Sequence, residues 1–194
     1  MPDMDEWAQL QRETALRVVI EEMWKEIPSD LQDYIPASTL EDLCTALQNP
    51  TTLEVVKLLQ EVQELREGQL YQQRCDLVGE IKSRLGEVRR QHQERRELQA
   101  KAGLSLEELD KELEAQWNLV SDEVKRELNS KDLNIIGEID STVVEQQRAL
   151  QEVGVPHFKE TKEPVELRIQ MTLLDFLLRI VRMPTFRSSN DDDS

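Results

Sequence analysis

The sequence predicts an all-α protein: a long antiparallel coiled-coil helical hairpin with packed N-terminal helices and a C-terminal apolar helix. Three observations carry this. Thr51 to Val155 contains no proline, and a proline inside a helix costs about 3 kcal/mol, so a periodic stretch this long reads as very long helices. Aromatics make up only 4% and charged residues 33% of the chain, the balance of solvated helices rather than of a sheet-based enzyme. The single break in the proline-free stretch lies near its middle, at Gly103, which turns the stretch back on itself as two arms.

Residues 1–50 are acidic, with 11 acids against 3 bases. From Asp3 to Glu26, Trp7, Leu10, Leu16, Val19, Ile20, Met23 and Trp24 predict an amphipathic helix stopped by Pro28. Ser38-Thr39-Leu40-Glu41 then predicts an N-cap for a short helix carrying Leu43, Cys44 and Leu47. Two helices alone bury too little surface to be stable, so both are expected to pack on the open end of the hairpin.

The hairpin covers 51–153, with arms at 52–102 and 105–152. Its first arm places Val55, Leu58, Val62 and Leu65 at spacings of three, four and three, a heptad seam. Leu70, Leu77, Ile81, Leu85, Val88 and Leu98 continue it with a step of four taken twice, which predicts a stutter. Ser105-Leu106-Glu107-Glu108 has the capping-box pattern that opens the second arm. That arm carries Leu109, Leu113, Trp117, Val120, Val124 and Leu128, then Ile135, Ile139, Val143 and Leu150. Charge supports the same pairing. Residues 82–101 hold Lys82, Arg84, Arg89, Arg90, Arg95, Arg96 and Lys101, and their expected neighbours begin Glu107, Glu108, Asp110, Glu112 and Glu114.

Behind the hairpin, Gly154 stands where a helix C′ glycine belongs, Pro156 follows, and a connector over 154–163 reaches Pro164, suited to the first position of a helix. On a wheel of the last helix, 164–183, Arg168, Thr172, Asp175, Arg179 and Arg182 form one narrow polar stripe. Apolar residues sweep the rest, against about 100° for an ordinary surface helix. Such a helix is enclosed by its own chain, by a second copy or by a partner. Residues 184–194 read as a disordered acidic tail.

Composition excludes several functions. A formal charge of −16 argues against a nucleic-acid binder by bulk charge. The acidic start lacks a secretory pattern, no apolar run approaches membrane-spanning length, and two cysteines fit a reducing compartment. The expected location is intracellular, nuclear or cytoplasmic, neither secreted nor transmembrane. His92 and His157 lie in different elements without a spaced second ligand, and no residues assemble an acid, base and nucleophile. Neither enzyme activity, nor a metal, nor a cofactor, nor a small-molecule substrate is expected. The narrow polar stripe of the last helix also argues against membrane attachment.

Two blocks carry a family resemblance. The first contains Thr39-Leu40-Glu41-Asp42-Leu43, Glu54-Val55-Val56 and Leu70-Tyr71-Gln72-Gln73-Arg74. The second contains Gln146-Gln147, Gly154-Val155, Phe158, Thr161, Pro164, Glu166-Leu167, Gln170-Met171 and Leu173-Leu174. Together they resemble the DiGeorge syndrome critical-region protein family, also called the gonadal protein family. At Lys159 the chain departs from an aromatic associated with that position. The resemblance implies a small helical, non-enzymatic protein linked to gonad and germ-line expression and to development, and implies no catalytic residues.

The expected function is that of a coiled-coil adaptor binding a protein partner or a second copy through Leu167, Met171, Leu173, Leu174, Leu177, Leu178 and Phe158. The competing reading is a nuclear nucleic-acid-associated factor using Arg89, Arg90, Arg95 and Arg96 of the 82–101 strip.

Overall fold

A computed structural model describes residues 4–186, and among these every regular element is helical. In order they are α1 (Met4–Trp24), α2 (Ser29–Gln32), α3 (Ser38–Gln48), α4 (Pro50–Lys101), α5 (Glu107–Glu152) and α6 (Pro164–Arg182), followed by a 3-10 turn at Pro184–Phe186. The chain divides into two compact units, one formed by residues 1–64 with 141–194 and the other by Leu65–Asp140.

The first unit holds the main core. In α1, Leu16, Ile20 and Met23 follow the helical period inward, and Ile27 extends the row through a 3-10 turn that ends at Pro28. Trp7 and Leu10, expected on the same face, are exposed. Leu31, Ile35, Leu43, Leu47, Leu53, Val56 and Leu150 close around this row together with α6. The expected Ser38 cap is not formed. The chain enters α3 one step earlier, on a turn in which Thr39 N–H donates to the Pro36 carbonyl at 2.9 Å, so Ala37 takes the cap position without a side-chain bond. Phe186 also joins the core, so the segment from 184 is not wholly a free tail: Pro184 ends the helix, but the aromatic ring brings enough apolar surface to hold the chain for two residues more. Residues 187–194 lie outside those described.

At the start of α4, Asn49 Oδ1 accepts the Thr51 N–H at 3.0 Å, and Pro50 stands at the first helical position, where its missing N–H is harmless. Leu58, Val62 and Leu65, the expected seam, face solvent. Val55 of that row is half-buried, and the row that turns inward is the neighbouring one, Val56, half-buried Leu59 and Gln63, and Leu70. Gln63 accepts from Gln146 Nε2 at 3.2 Å. On α5 Ile139 and Val143 are exposed, and Leu98 is exposed on α4.

The second unit consists of parts of α4 and α5. Leu70, Ile81, Leu109, Leu113 and Val124 are its buried apolar residues. Ion pairs join the two helices: Arg74 with Asp132 at 2.7 Å, Arg84 with Glu127 at 2.6 Å, Arg95 with Glu112 at 3.1 Å and Arg96 with Asp110 at 2.8 Å. As residue number rises along α4, that of the partner falls along α5. Each pair is more than a third exposed, so it stabilises by at most about 1 kcal/mol and acts mainly on register. Between the helices, Ala102 and Gly103 end α4 in a Schellman turn: Leu104 N–H donates to Gln99 O at 3.2 Å and Gly103 N–H to Ala100 O at 3.1 Å, with Gly103 at φ 66. Ser105 then accepts the Glu107 N–H on its hydroxyl at 3.4 Å as α5 begins.

Candidate functional site

The site is the last helix and the connector that aims it. α5 ends in a second Schellman turn, in which Val155 N–H donates to Leu150 O at 3.0 Å and Gly154 N–H to Gln151 O at 3.0 Å, with Gly154 at φ 78. Here the apolar contact that accompanies the motif is present, since Leu150 and Val155 are both buried in the core. The chain therefore leaves α5 in a fixed direction.

Two buried glutamines then hold the connector. Gln170, on α6, donates from Nε2 to the carbonyls of His157 at 3.0 Å and Lys159 at 2.9 Å. Its Oε1 accepts from Gln147 Nε2 on α5 at 2.9 Å. Gln147 also donates to Thr161 O at 3.2 Å and accepts the Thr161 N–H at 3.3 Å. Both amides thus use all their donors in a place where an unpaired polar group would be costly.

His157 adopts φ 65, a left-handed conformation unusual for a residue with a side chain. Its Nε2 shares a hydrogen bond with the Thr39 hydroxyl at 2.8 Å, tying the connector to α3. Burial pushes the His157 pKa below its ordinary value, against the opposing charges of Asp42 and Glu166 and with the help of Lys159. Ion pairs brace the outside, Lys159 with Glu166 at 2.6 Å and Arg148 with Glu160 at 2.6 Å. The hydrogen bond from Lys159 holds the Glu166 carboxyl below its usual range. His157, Phe158, Lys159, Glu166 and Ile169 line a shallow depression of about 260 Å³.

Pro164 starts α6 at its first turn. One face, Ile169, Leu173, Phe176, Leu177 and Ile180, is buried in the chain's own core. Of the seven residues expected to contact a partner, Phe158, Leu173 and Leu177 are therefore enclosed, because a helical wheel gives the width of an apolar arc but not what covers it. The other four divide off as a second stripe. Leu167, Leu174 and Leu178 are half-buried and Met171 is 70% exposed, at spacings of four, three and four. At 100° per residue this stripe adjoins the buried face, with Leu174 about 60° from Leu177, and Leu174 and Leu178 also pack in part against the core. Arg179 fixes the rotation of the helix by a two-pronged bond to Glu26, at 2.6 and 3.0 Å, which lowers the Glu26 pKa.

The basic strip carries an open groove of about 590 Å³ lined by Arg89, His92, Arg96, Asp110, Glu114 and Trp117, but its arginines are engaged. Arg90 bonds to Glu87 and Glu94 of its own helix, Arg95 and Arg96 pair with Glu112 and Asp110, and Arg89 lies over the Trp117 ring at 4.9 Å from its centre. Gln147, Gln170 and Thr39 stand in the blocks that carry the family resemblance, but the sequence assigned them no role. The signal for Gln170 was its position inside the apolar arc of α6, where a surface glutamine has no place. Among the described residues no group of three or more His, Cys, Asp or Glu is arranged to hold a metal ion, and no helix is long and apolar enough to cross a membrane.

Comparison with known proteins follows the same residues. The family profile described as DiGeorge syndrome critical region 6 (DGCR6) protein matches residues 3–188. The chain is 32% identical over 172 residues to Protein DGCR6 of Gallus gallus, covering 89% of this chain and 85% of that one. It is also 32% identical over 158 residues to Gonadal protein gdl of Drosophila melanogaster, covering 81% of this chain and 74% of that one. No solved structure matches. With a profile match over nearly its full length and two relatives at this identity, the chain belongs to the DiGeorge syndrome critical region 6 family.

Proposed function

We propose that this protein is a non-enzymatic interaction protein, an adaptor in which α4 and α5 form an antiparallel coiled-coil hairpin and α6 offers the contact face. The observation that carries this is the second apolar stripe of α6, centred on exposed Met171, with Leu167, Leu174 and Leu178 partly exposed beside the core that Leu173 and Leu177 fill. Heptad-like spacing on a helix already held by its adjoining face suits helix-on-helix recognition. The inverse order of ion pairs from Arg74–Asp132 to Arg96–Asp110 supports the hairpin. The name of the fly relative, Gonadal protein gdl, supports a link to the gonad; we extend that link to the germ line, gametogenesis and development, with a place in the nucleus or cytoplasm.

The test is site-specific crosslinking. A photoreactive residue at position 171 of the intact chain, expressed in gonadal cells, is expected to trap a discrete protein adduct that the same residue at exposed Leu119 does not trap. Leu167→Glu should remove the adduct. Identical adducts from both positions, or none from position 171, would overturn the reading.

A further inference from the structure

Taking α6 as the contact face, we infer that its occupant is a second copy of this chain, with the two α6 helices antiparallel across a two-fold axis. The spacing of Leu167, Met171, Leu174 and Leu178 is four, three, four, which reads the same in both directions. Its midpoint falls between residues 172 and 173, at the middle of Pro164–Arg182. A two-fold interface uses one patch twice, so the patch must complement itself. In the antiparallel pair Leu167 meets Leu178 of the second copy, Met171 meets Leu174, and the whole stripe closes.

Charge selects the same direction. Arg168 and Asp175 follow Leu167 and Leu174 and lie along one edge of the stripe, seven residues apart. In an antiparallel pair like edges meet. Arg168 then faces Asp175 of the second copy and Asp175 faces its Arg168, two attractive pairs from one sequence. A parallel pair would set them against the edge that carries Gln170 and Leu177, which are uncharged and buried within the chain itself. Both charges can change partner, because Arg168 now pairs with Asp30 at 2.8 Å and Asp175 with Arg179 at 3.6 Å on side chains all more than a third exposed.

The pairing is modest in size. A helix of 19 residues is about 28 Å long, and one face of it covers less than the roughly 800 Å² per partner of a stable complex. The dimer therefore dissociates on dilution.

Sedimentation equilibrium on the full chain, from micromolar to millimolar concentration, is expected to give a mass rising from 22.6 kDa toward twice that value. Met171→Glu, at an exposed position, should hold the mass at 22.6 kDa with unchanged helical circular dichroism. Arg168→Asp and Asp175→Arg should each weaken association about tenfold or more, and the two together should restore it, because the reversed charges attract again. Asp30→Asn, which removes only the partner that Arg168 gives up on pairing, should leave association no weaker. A mass of 22.6 kDa at every concentration overturns the inference, as does a dimer indifferent to Met171→Glu or a double exchange no better than the single ones. A monomer whose position 171 still traps a different protein would overturn the self-pairing alone, whereas a monomer that traps nothing would overturn the contact face as well.

Discussion

Gln147 on α5 donates its side-chain amide to Gln170 on α6 at 2.9 Å, with both residues almost wholly buried, and this one bond connects the two helices that the connector joins. Because each glutamine also serves main-chain groups of the connector, removing Gln147 takes the donor from the part-buried Thr161 carbonyl and removing Gln170 takes it from those of His157 and Lys159. Gln147→Leu and Gln170→Leu are each expected to destabilise the chain by about 1–3 kcal/mol. The double variant should lose less than the sum of the two, since the shared bond can be lost only once. Urea unfolding of the three variants measures this. Additive losses would mean that the two amides act separately.

His157 makes the same connector sensitive to acid. Its pKa is lowered by burial, so the unfolded chain binds its proton more readily than the folded one, and stability rises with pH through that interval. The stabilising effect is fully present above the ordinary histidine pKa of about 6.5 and is lost as pH falls through the lower folded value. Glu26, Glu87, Asp132 and Glu166 have lowered pKa values and lose their stabilising effect only in the more acidic carboxylate range. His157→Asn keeps a residue tolerant of positive φ and should flatten the upper part of the profile while leaving the lower part unchanged. Unfolding midpoints at successive pH values check it. An unaltered profile would exclude His157 as the source.

The helical class and the exit from α5 were legible in the sequence, because a proline-free periodic stretch and a glycine followed by Val155 and Pro156 act locally. What was not legible is the rotation of each helix. On α4 the row Val55, Leu58, Val62 and Leu65 obeys the heptad rule better than any other, yet the inward row is Val56, Leu59, Gln63 and Leu70, with Gln63 bonded to Gln146, 83 residues away. Which of two neighbouring rows turns inward is decided by tertiary contact. Likewise the wheel of α6 gave one broad apolar arc, and only the positions of the surrounding helices divide it into a buried face and the stripe at Met171.

The glycines divide in the same physical way. A Cβ added at Gly79 or Gly86 meets nothing within 4 Å, so neither permits close approach of another helix. Gly79→Ala and Gly86→Ala are each expected to stabilise the chain by about 1 kcal/mol, the difference in helix propensity. Space is equally open at Gly154, but its φ of 78 is strained for alanine, so Gly154→Ala should destabilise by about 1–2 kcal/mol. Thermal unfolding of the three variants decides whether the backbone angle, rather than crowding, sets the sign.

Cys44 and Cys75 should behave oppositely toward a thiol reagent. Cys44 is buried in the core and burial raises its pKa, so little of the reactive thiolate forms and the reagent cannot reach it. Cys75 is exposed on α4, within reach of the Tyr71 hydroxyl, whose pKa its hydrogen bond raises. With an aromatic disulfide at neutral pH, one thiol per chain is expected to react at once and the second only as fast as the core opens. The slow rate should therefore fall in Gly79→Ala if the chain opens globally, and stay constant if Cys44 is reached by local movement of α3 alone. Two fast thiols would mean that Cys44 is not enclosed in solution.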